Sequence, residues 1–205
     1  MGFFKNIFKN KKSARLSKKH VKELSQVTVF SAEEVEQLYS WFNMIASSNE
    51  DDGVIDVNEF RTALHIEECL FVDRMFFLFD GDGNGTIDFT EFCRGLSIFQ
   101  KESNWEEKVR FSFRTYDLND DHFIEKAEII EFLNANLKDN AMQLNEKALL
   151  SLVDATFTEA NCTDGKMSFS QYRNLVKANP HMIDNMSFDA DIRRGLKEKA
   201  NPHMI

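Results

Sequence analysis

The residues of this chain best placed to do chemistry carry oxygen and keep a regular spacing. Asp80, Asp82, Asn84, Thr86 and Asp88 alternate along one short stretch, Glu91 closes it, and Gly85 sits in its middle. A hard divalent cation such as calcium takes six to eight oxygen ligands. Asp80, Asp82 and Asn84 offer side-chain oxygens on alternate residues of a tight turn. Thr86 offers its carbonyl, Asp88 ligates directly or through water, and Glu91 closes the set with both carboxylate oxygens. Gly85 permits the sharp backbone bend.

This is the EF-hand calcium-loop pattern, matched at every position, and the chain repeats it. In four segments an aromatic-rich helical stretch runs into an acidic loop, a turn residue, an apolar residue and a closing acid or amide. The pairs are Gly53 and Glu59, Gly85 and Glu91, His122 and Glu128, and Gly165 and Gln171, each six apart. Repetition of this kind means one supersecondary unit used several times. The third copy has Asp117, Asn119, Asp121, Glu125 and Glu128 at ligand positions, but His122 stands where glycine belongs. A side chain in the left-handed region costs roughly 1–2 kcal/mol, so His122 reads as a strained turn residue and not as a ligand or base. The first copy is stretched. A twelve-residue loop closing at Glu59 would begin at Ser48, whereas the helical phase of Tyr39, Phe42 and Ile45 favours a loop over residues 46–59, either a metal site or a structural turn. The fourth copy, over residues 160–171, is degraded, with Ala160, Cys162 and Gln171 at its first, third and twelfth positions. It reads as a loop kept for pairing with its neighbour, and Cys162 as a bystander with nothing nearby to favour a thiolate.

These loops need helices to hold them. The chain has 205 residues, 20 Phe, 8 Met and only 2 Pro, which suits an all-α protein. Ser31 and Glu34 form a capping box, followed by an apolar stripe through Val35, Leu38, Phe42 and Ile45. Asn104 and Asn145 open later helices. One helix pair cannot bury both of its apolar faces, so the loops are expected to pair through short β contacts, Ile55 with Ile87 and Ile124 with Met167. The expected architecture is two-lobed: EF-hand lobes over residues 31–100 and 104–178, a basic arm before them over residues 1–30, and a tail over residues 179–205. Most Phe and Met belong to the core, and part of the aromatic surface reads as a groove for a partner helix.

Charge separates these parts. Residues 1–22 hold eight Lys or Arg and no acid, leaving 17 basic against 34 acidic residues in the rest. The acidic body excludes nucleic acid, because phosphate contacts need clustered positive charge. In the arm, Phe3, Phe4, Ile7 and Phe8 share one helical face, with Lys5, Lys9, Lys11 and Lys12 largely elsewhere. That pattern suits an anionic membrane surface. Gly2 invites myristoylation, although Asn6 replaces the usual Ser or Thr. There is no apolar run long enough to span a membrane and no signal-peptide pattern. Scattered Cys69, Cys93 and Cys162 point to a reducing compartment, so the expected location is cytoplasmic, peripheral at a membrane where the arm engages. The tail repeats Lys-Ala-Asn-Pro-His-Met-Ile at 177–183 and 199–205. Between the copies, Phe188, Ile192 and Leu196 suggest a short helix. Scattered histidines and the absence of a nucleophile motif argue against an enzyme.

The order of motifs adds a resemblance. The long loop Ser-Ser-Asn-Glu-Asp-Asp-Gly53 precedes Leu70-Phe-Val-Asp-Arg74, Phe77-Leu-Phe-Asp80, Phe111-Ser-Phe-Arg-Thr-Tyr-Asp117 and Asp164-Gly-Lys, with Pro180 and Asn185-Met-Ser in the tail. Over roughly residues 25–190 this resembles the calcineurin B-like calcium sensors of plants, and more loosely calcineurin B. The resemblance implies a non-catalytic sensor that grips a helical regulatory motif of a protein kinase in an apolar groove, relieves its autoinhibition and brings it to a membrane. It carries calcium ligation to Asp80, Asp82, Asn84, Thr86, Asp88 and Glu91, and to Asp117, Asn119, Asp121, Phe123 through its carbonyl, Glu125 and Glu128. Magnesium is the expected competitor at rest. The fourth loop is one residue shorter than the family form, and the Phe-Pro-Ser-Phe ending of plant members is absent. Two other readings stay open: the regulatory subunit of a calcineurin-type phosphatase, and a plain calcium buffer.

Overall fold

The computed structural model describes residues 16–49, 51–64, 70–100, 102–139 and 145–184. The aromatic face at residues 3–8 and the tail helix around Phe188 lie outside them.

The described chain is helical. In order come α1 (Lys18–Val27), α2 (Ala32–Ile45), α3 (Val57–Leu64), α4 (Leu70–Phe79), α5 (Phe89–Ile98), α6 (Trp105–Tyr116), β1 (Phe123–Glu125), α7 (Lys126–Asp139), α8 (Glu146–Glu159), β2 (Lys166–Ser168), α9 (Phe169–Ala178) and α10 (His181–Asp184). The helix starts follow from side chains that satisfy free backbone N–H groups. Ser31 and Glu34 close the expected capping box on α2. Asn104 and Asn145 cap α6 and α8. Asp88 with Glu91 and Ser168 with Gln171 form two further capping boxes. In these two units the loop's closing residue is also the third residue of the exit helix.

The expected loop pairing is present. Ile55 and Ile87 exchange two backbone hydrogen bonds of 2.9 Å. β1 and β2 pair antiparallel, with Ile124 opposite Met167. All four side chains are buried and tie their loops to the helices beneath.

Two apolar clusters fill the interior. The first joins Val35, Leu38 and Phe42 of α2 to Phe60, Phe76, Phe79, Phe89 and Phe92; the second joins Val109, Phe113, Val153, Phe157, Met167 and Tyr172. Helix α6 serves both, because Phe111 enters the first cluster while Val109 and Phe113 enter the second. Lys18–Val27, inside the stretch read as a basic arm, is a helix whose Val21 and Leu24 are buried in the first cluster. Lys18, Lys19 and Lys22 stay exposed on its outer face. The period-three burial, hidden by the lysines, is what turns half of that arm into core structure.

Candidate metal centre

Each loop is entered from a helix end and closed by the first turn of the next helix. The Asp80 N–H donates to Phe76 O as α4 ends, and the Asp117 N–H to Phe113 O as α6 ends. At the twelfth position of the loop the closing glutamate folds back. Glu91 Oε1 accepts from the N–H groups of Gly81 (2.8 Å) and Asp82 (3.3 Å), and its Oε2 from Asp88 (2.9 Å). Glu128 repeats this on Leu118, Asn119 and Glu125 at 2.9, 3.1 and 2.8 Å. The two loops share one hydrogen-bond skeleton.

In the second loop, Asp80 accepts from the Asn84 and Gly85 N–H groups at 3.1 and 2.8 Å, and Asn84 from the Thr86 N–H at 2.8 Å. These bonds turn the side-chain oxygens inward. Asp80, Asp82 and Glu91 thereby place carboxylate oxygens within 4.8 Å of one another. Three carboxylates held so closely suit a divalent cation of the calcium class. Gly83 and Gly85 have φ of 71° and 85°, which glycine adopts without strain.

The third loop reaches the same shape with other residues. Asp120 and His122 take the two left-handed positions, at φ 55° and 69°. Asp117 is 1% exposed; its Oδ2 accepts from the His122 N–H at 3.1 Å, and its Oδ1 is buried with no hydrogen-bond partner. Burial pushes the Asp117 carboxyl up, against the pull of the His122 N–H. An orphaned, buried carboxylate oxygen at the loop's entry is what a cation ligand looks like before its cation is counted. The residues of both loops therefore fit calcium.

Two residues that loop spacing did not flag also touch the third loop. Arg74 of α4 donates to Arg114 O and Asp117 O and pairs with Asp120 at 3.0 Å. Lys166, on the fourth loop, meets Glu125 at 2.6 Å and Asp121 at 3.1 Å. Those contacts raise the Lys166 amine above its usual range, Glu125 most, and the Lys166 hydrogen bond lowers the Asp121 carboxyl.

The outer loops differ. The Ala46 N–H bonds Phe42 O, as Asp80 bonds Phe76, so the first loop begins at Ala46 and runs fourteen residues to Glu59. Glu59 Oε1 accepts from the Asn49 N–H at 3.1 Å, its Oε2 from Asp56 at 3.2 Å, and the side chain is 3% exposed. The two extra residues therefore lie at the start of the loop, between Ala46 and Asn49. In the fourth loop the polarity at the closing residue is reversed. Gln171 Nε2 donates to Asn161 O at 3.1 Å, while its Oε1 accepts from the Ser168 N–H at 2.9 Å. An amide closes this turn by itself, without a carboxylate. Cys162 is half-buried and its thiol is pushed up by burial and then by Asp164; Cys93 is buried and pushed up to about 12. Neither behaves as a reactive thiolate.

The EF hand domain profile matches residues 71–99, which span α4, the second loop and α5. The calcineurin B protein of Schizosaccharomyces pombe is 33% identical over 162 residues, 78% of this chain and 90% of that relative. Calcineurin B-like protein 5 of Arabidopsis thaliana is 34% identical over 177 residues, 83% of this chain and 87% of its own. The chain belongs to the calcineurin B and calcineurin B-like family. As a member, it is an EF-hand calcium-binding regulatory protein and not an enzyme. Among the described residues, no helix is long and apolar enough to cross a membrane.

Proposed function

We propose that this chain is a calcium sensor whose second and third loops are its binding sites. The ligands are Asp80, Asp82, Asn84, the Thr86 carbonyl, Asp88 and Glu91 in one, and Asp117, Asn119, Asp121, the Phe123 carbonyl, Glu125 and Glu128 in the other. The observation that carries this is the convergence of Asp80, Asp82 and Glu91. Bound calcium supplies charge that these oxygens neutralise and a reason for the closing glutamate to leave the backbone N–H groups. Because Glu91 is also the third residue of α5, any such move bears on the exit helix. Magnesium is the resting competitor; its stricter octahedral demand disfavours the bidentate glutamate. The first loop is two residues longer and has Ser48 where the second has Asp80, and the fourth has Gln171 at its closing position; both are structural in this reading.

The sensor regulates a protein partner, a protein kinase whose helical motif it grips in an apolar groove. Phe71, Phe77, Leu150 and Leu152 offer exposed apolar surface for such contacts. The match to a calcineurin B over 90% of that protein supports the second reading, a phosphatase regulatory subunit. The basic residues of 1–22 suit an anionic membrane surface, which would place the protein in the cytoplasm and peripherally at a membrane.

Calorimetric calcium titration of the whole chain, with Glu91→Gln and Glu128→Gln in parallel, tests the sites. Two sites in the sensor range of about 10⁻⁷–10⁻⁵ M, one removed by each variant, are expected. No binding in that range would end the sensor reading. Calcium-dependent capture of a kinase regulatory segment, and not of a phosphatase catalytic subunit, would decide the partner. An apolar-dye signal unchanged by calcium would leave a buffer.

A further inference from the structure

Arg74 ligates nothing in the reading above, yet it is 7% exposed and heavily engaged. Its Nε and one terminal nitrogen donate to Arg114 O at 2.9 and 2.7 Å, that same nitrogen bonds Asp117 O, and it pairs with Asp120 Oδ1 at 3.0 Å. The guanidinium also lies 4.5 Å from the centre of the Phe77 ring. These acceptors converge on one place, the end of α6 and the entry to the third loop. Carbonyls at a helix end lack intrahelical partners, and a cation there is favoured by the helix dipole.

The helix that carries Arg74 is itself the entry to the second loop, since α4 ends at Phe79 and Asp80 follows. One flank of α4 is held to α3 by Asp73 and Arg61 at 2.7 Å. The other lies on α6 and α7, where Phe71 meets Phe132 with ring centres 5.9 Å apart. A single planar fork thus joins the helix leading into Asp80 to the residues that hold Asp117.

We propose that Arg74 is a positioning residue linking the second and third loops, so that filling either one tightens the other. The proposal rests on both loops binding calcium. Cation binding at Asp80 orders the end of α4; through Arg74 that order reaches Arg114 O, Asp117 O and the left-handed turn at Asp120. The third loop then binds at a smaller ordering cost, and the effect is reciprocal. The fork is essential because two of its nitrogens share Arg114 O while one of them also serves Asp117 O and Asp120, and a lysine ammonium keeps the charge but not the planar geometry.

The test is calcium titration of the full chain followed at the backbone amides of Gly85 and His122, one in each loop. Four proteins are compared: the natural chain, Glu91→Gln, Arg74→Lys, and the double variant. Glu91→Gln should weaken the His122 transition by about fivefold or more in the natural background, and by less than about twofold with Lys at position 74. A role confined to holding the fold would move stability but leave that ratio unchanged. Asp120→Asn removes only the negative charge of the exposed partner and keeps a residue that tolerates φ 55°; it should shrink the linkage too, and it decides the matter if Arg74→Lys fails to fold. An equal Glu91→Gln penalty with and without Arg74, or independent transitions in the natural chain, overturns the linkage alone. If neither amide responds to calcium, the calcium reading falls and the linkage with it.

Discussion

The second and third loops share one backbone skeleton and reach it by different means. The second is built from local chemistry. Gly83 and Gly85 supply its left-handed turns, and its proposed ligands stand largely in solvent. The third has Asp120 and His122 at the same turns, buries Asp117 and Glu128, and is gripped by Arg74 from one side and Lys166 from the other. One loop is set by its own residues, the other by its neighbours. The shape of the second loop should therefore answer to its own residues, and that of the third also to residues outside it.

The largest effect tests whether the two loops are separate sites. Glu91→Gln and Glu128→Gln should each lower calcium affinity of their own loop on the order of 100-fold, by removing one charge and bidentate closure. The glutamine oxygen can still accept the N–H of Asp88 or Glu125, as Gln171 does that of Ser168, while the N–H groups at the loop entry turn to water, so the metal-free fold should melt only slightly lower, as circular dichroism would show. A collapse of the metal-free fold would mean the closing glutamates are structural first.

Next is Gly95→Ala, which should hurt the first cluster and the second loop directly and reach the third only through the Arg74 linkage. A Cβ at residue 95 would lie 2.3 Å from the Phe79 ring. Phe79 cannot easily retreat, being set against Phe60, Phe99 and Phe111 at 5.6, 6.2 and 6.4 Å between ring centres. Overpacking of this kind costs about 1–3 kcal/mol, measurable by urea unfolding. Because Phe79 precedes Asp80, the Gly85 amide should report weaker calcium binding.

Lys166→Met should do the reverse, raising calcium affinity first of all at the third loop. The ammonium now shares Asp121 and Glu125 with any incoming cation. Both groups are part-exposed, so the gain should be less than about tenfold and should shrink in high salt. Weaker third-loop binding would show that Lys166 shapes the site instead of competing for it.

The smallest effect concerns His122→Gly. Glycine relieves the cost of φ 69° but adds unfolded-chain entropy, leaving a net gain below about 1 kcal/mol. Thermal melting should rise slightly if the two loops differ at this position only in backbone strain.

Much of this is legible from residue types alone. Ile55–Ile87 and Ile124–Met167 pairing, the Ser31 capping box and the Asn104 and Asn145 caps all follow from spacings of a few residues. Lys18–Val27 is harder to read, because its lysines suggest an arm while Val21 and Leu24 alone carry its buried face. Part of the aromatic surface reads as groove from the sequence, yet the exposed Phe71, Phe77 and Phe123 each also have a contact inside the protein, with Phe132, Arg74 and Lys166 respectively.

By itself, the sequence determined the four helix–loop–helix units and which oxygen-bearing side chains the second and third loops bring together. Cation loops are short, so their ligands, turn residues and capping boxes lie within a dozen neighbouring positions. Only the tertiary structure decided that the third loop is clamped by Arg74 and answered by Lys166. Those contacts join residues some forty positions apart, and pairing at that range depends on how the helices pack, which no local spacing records.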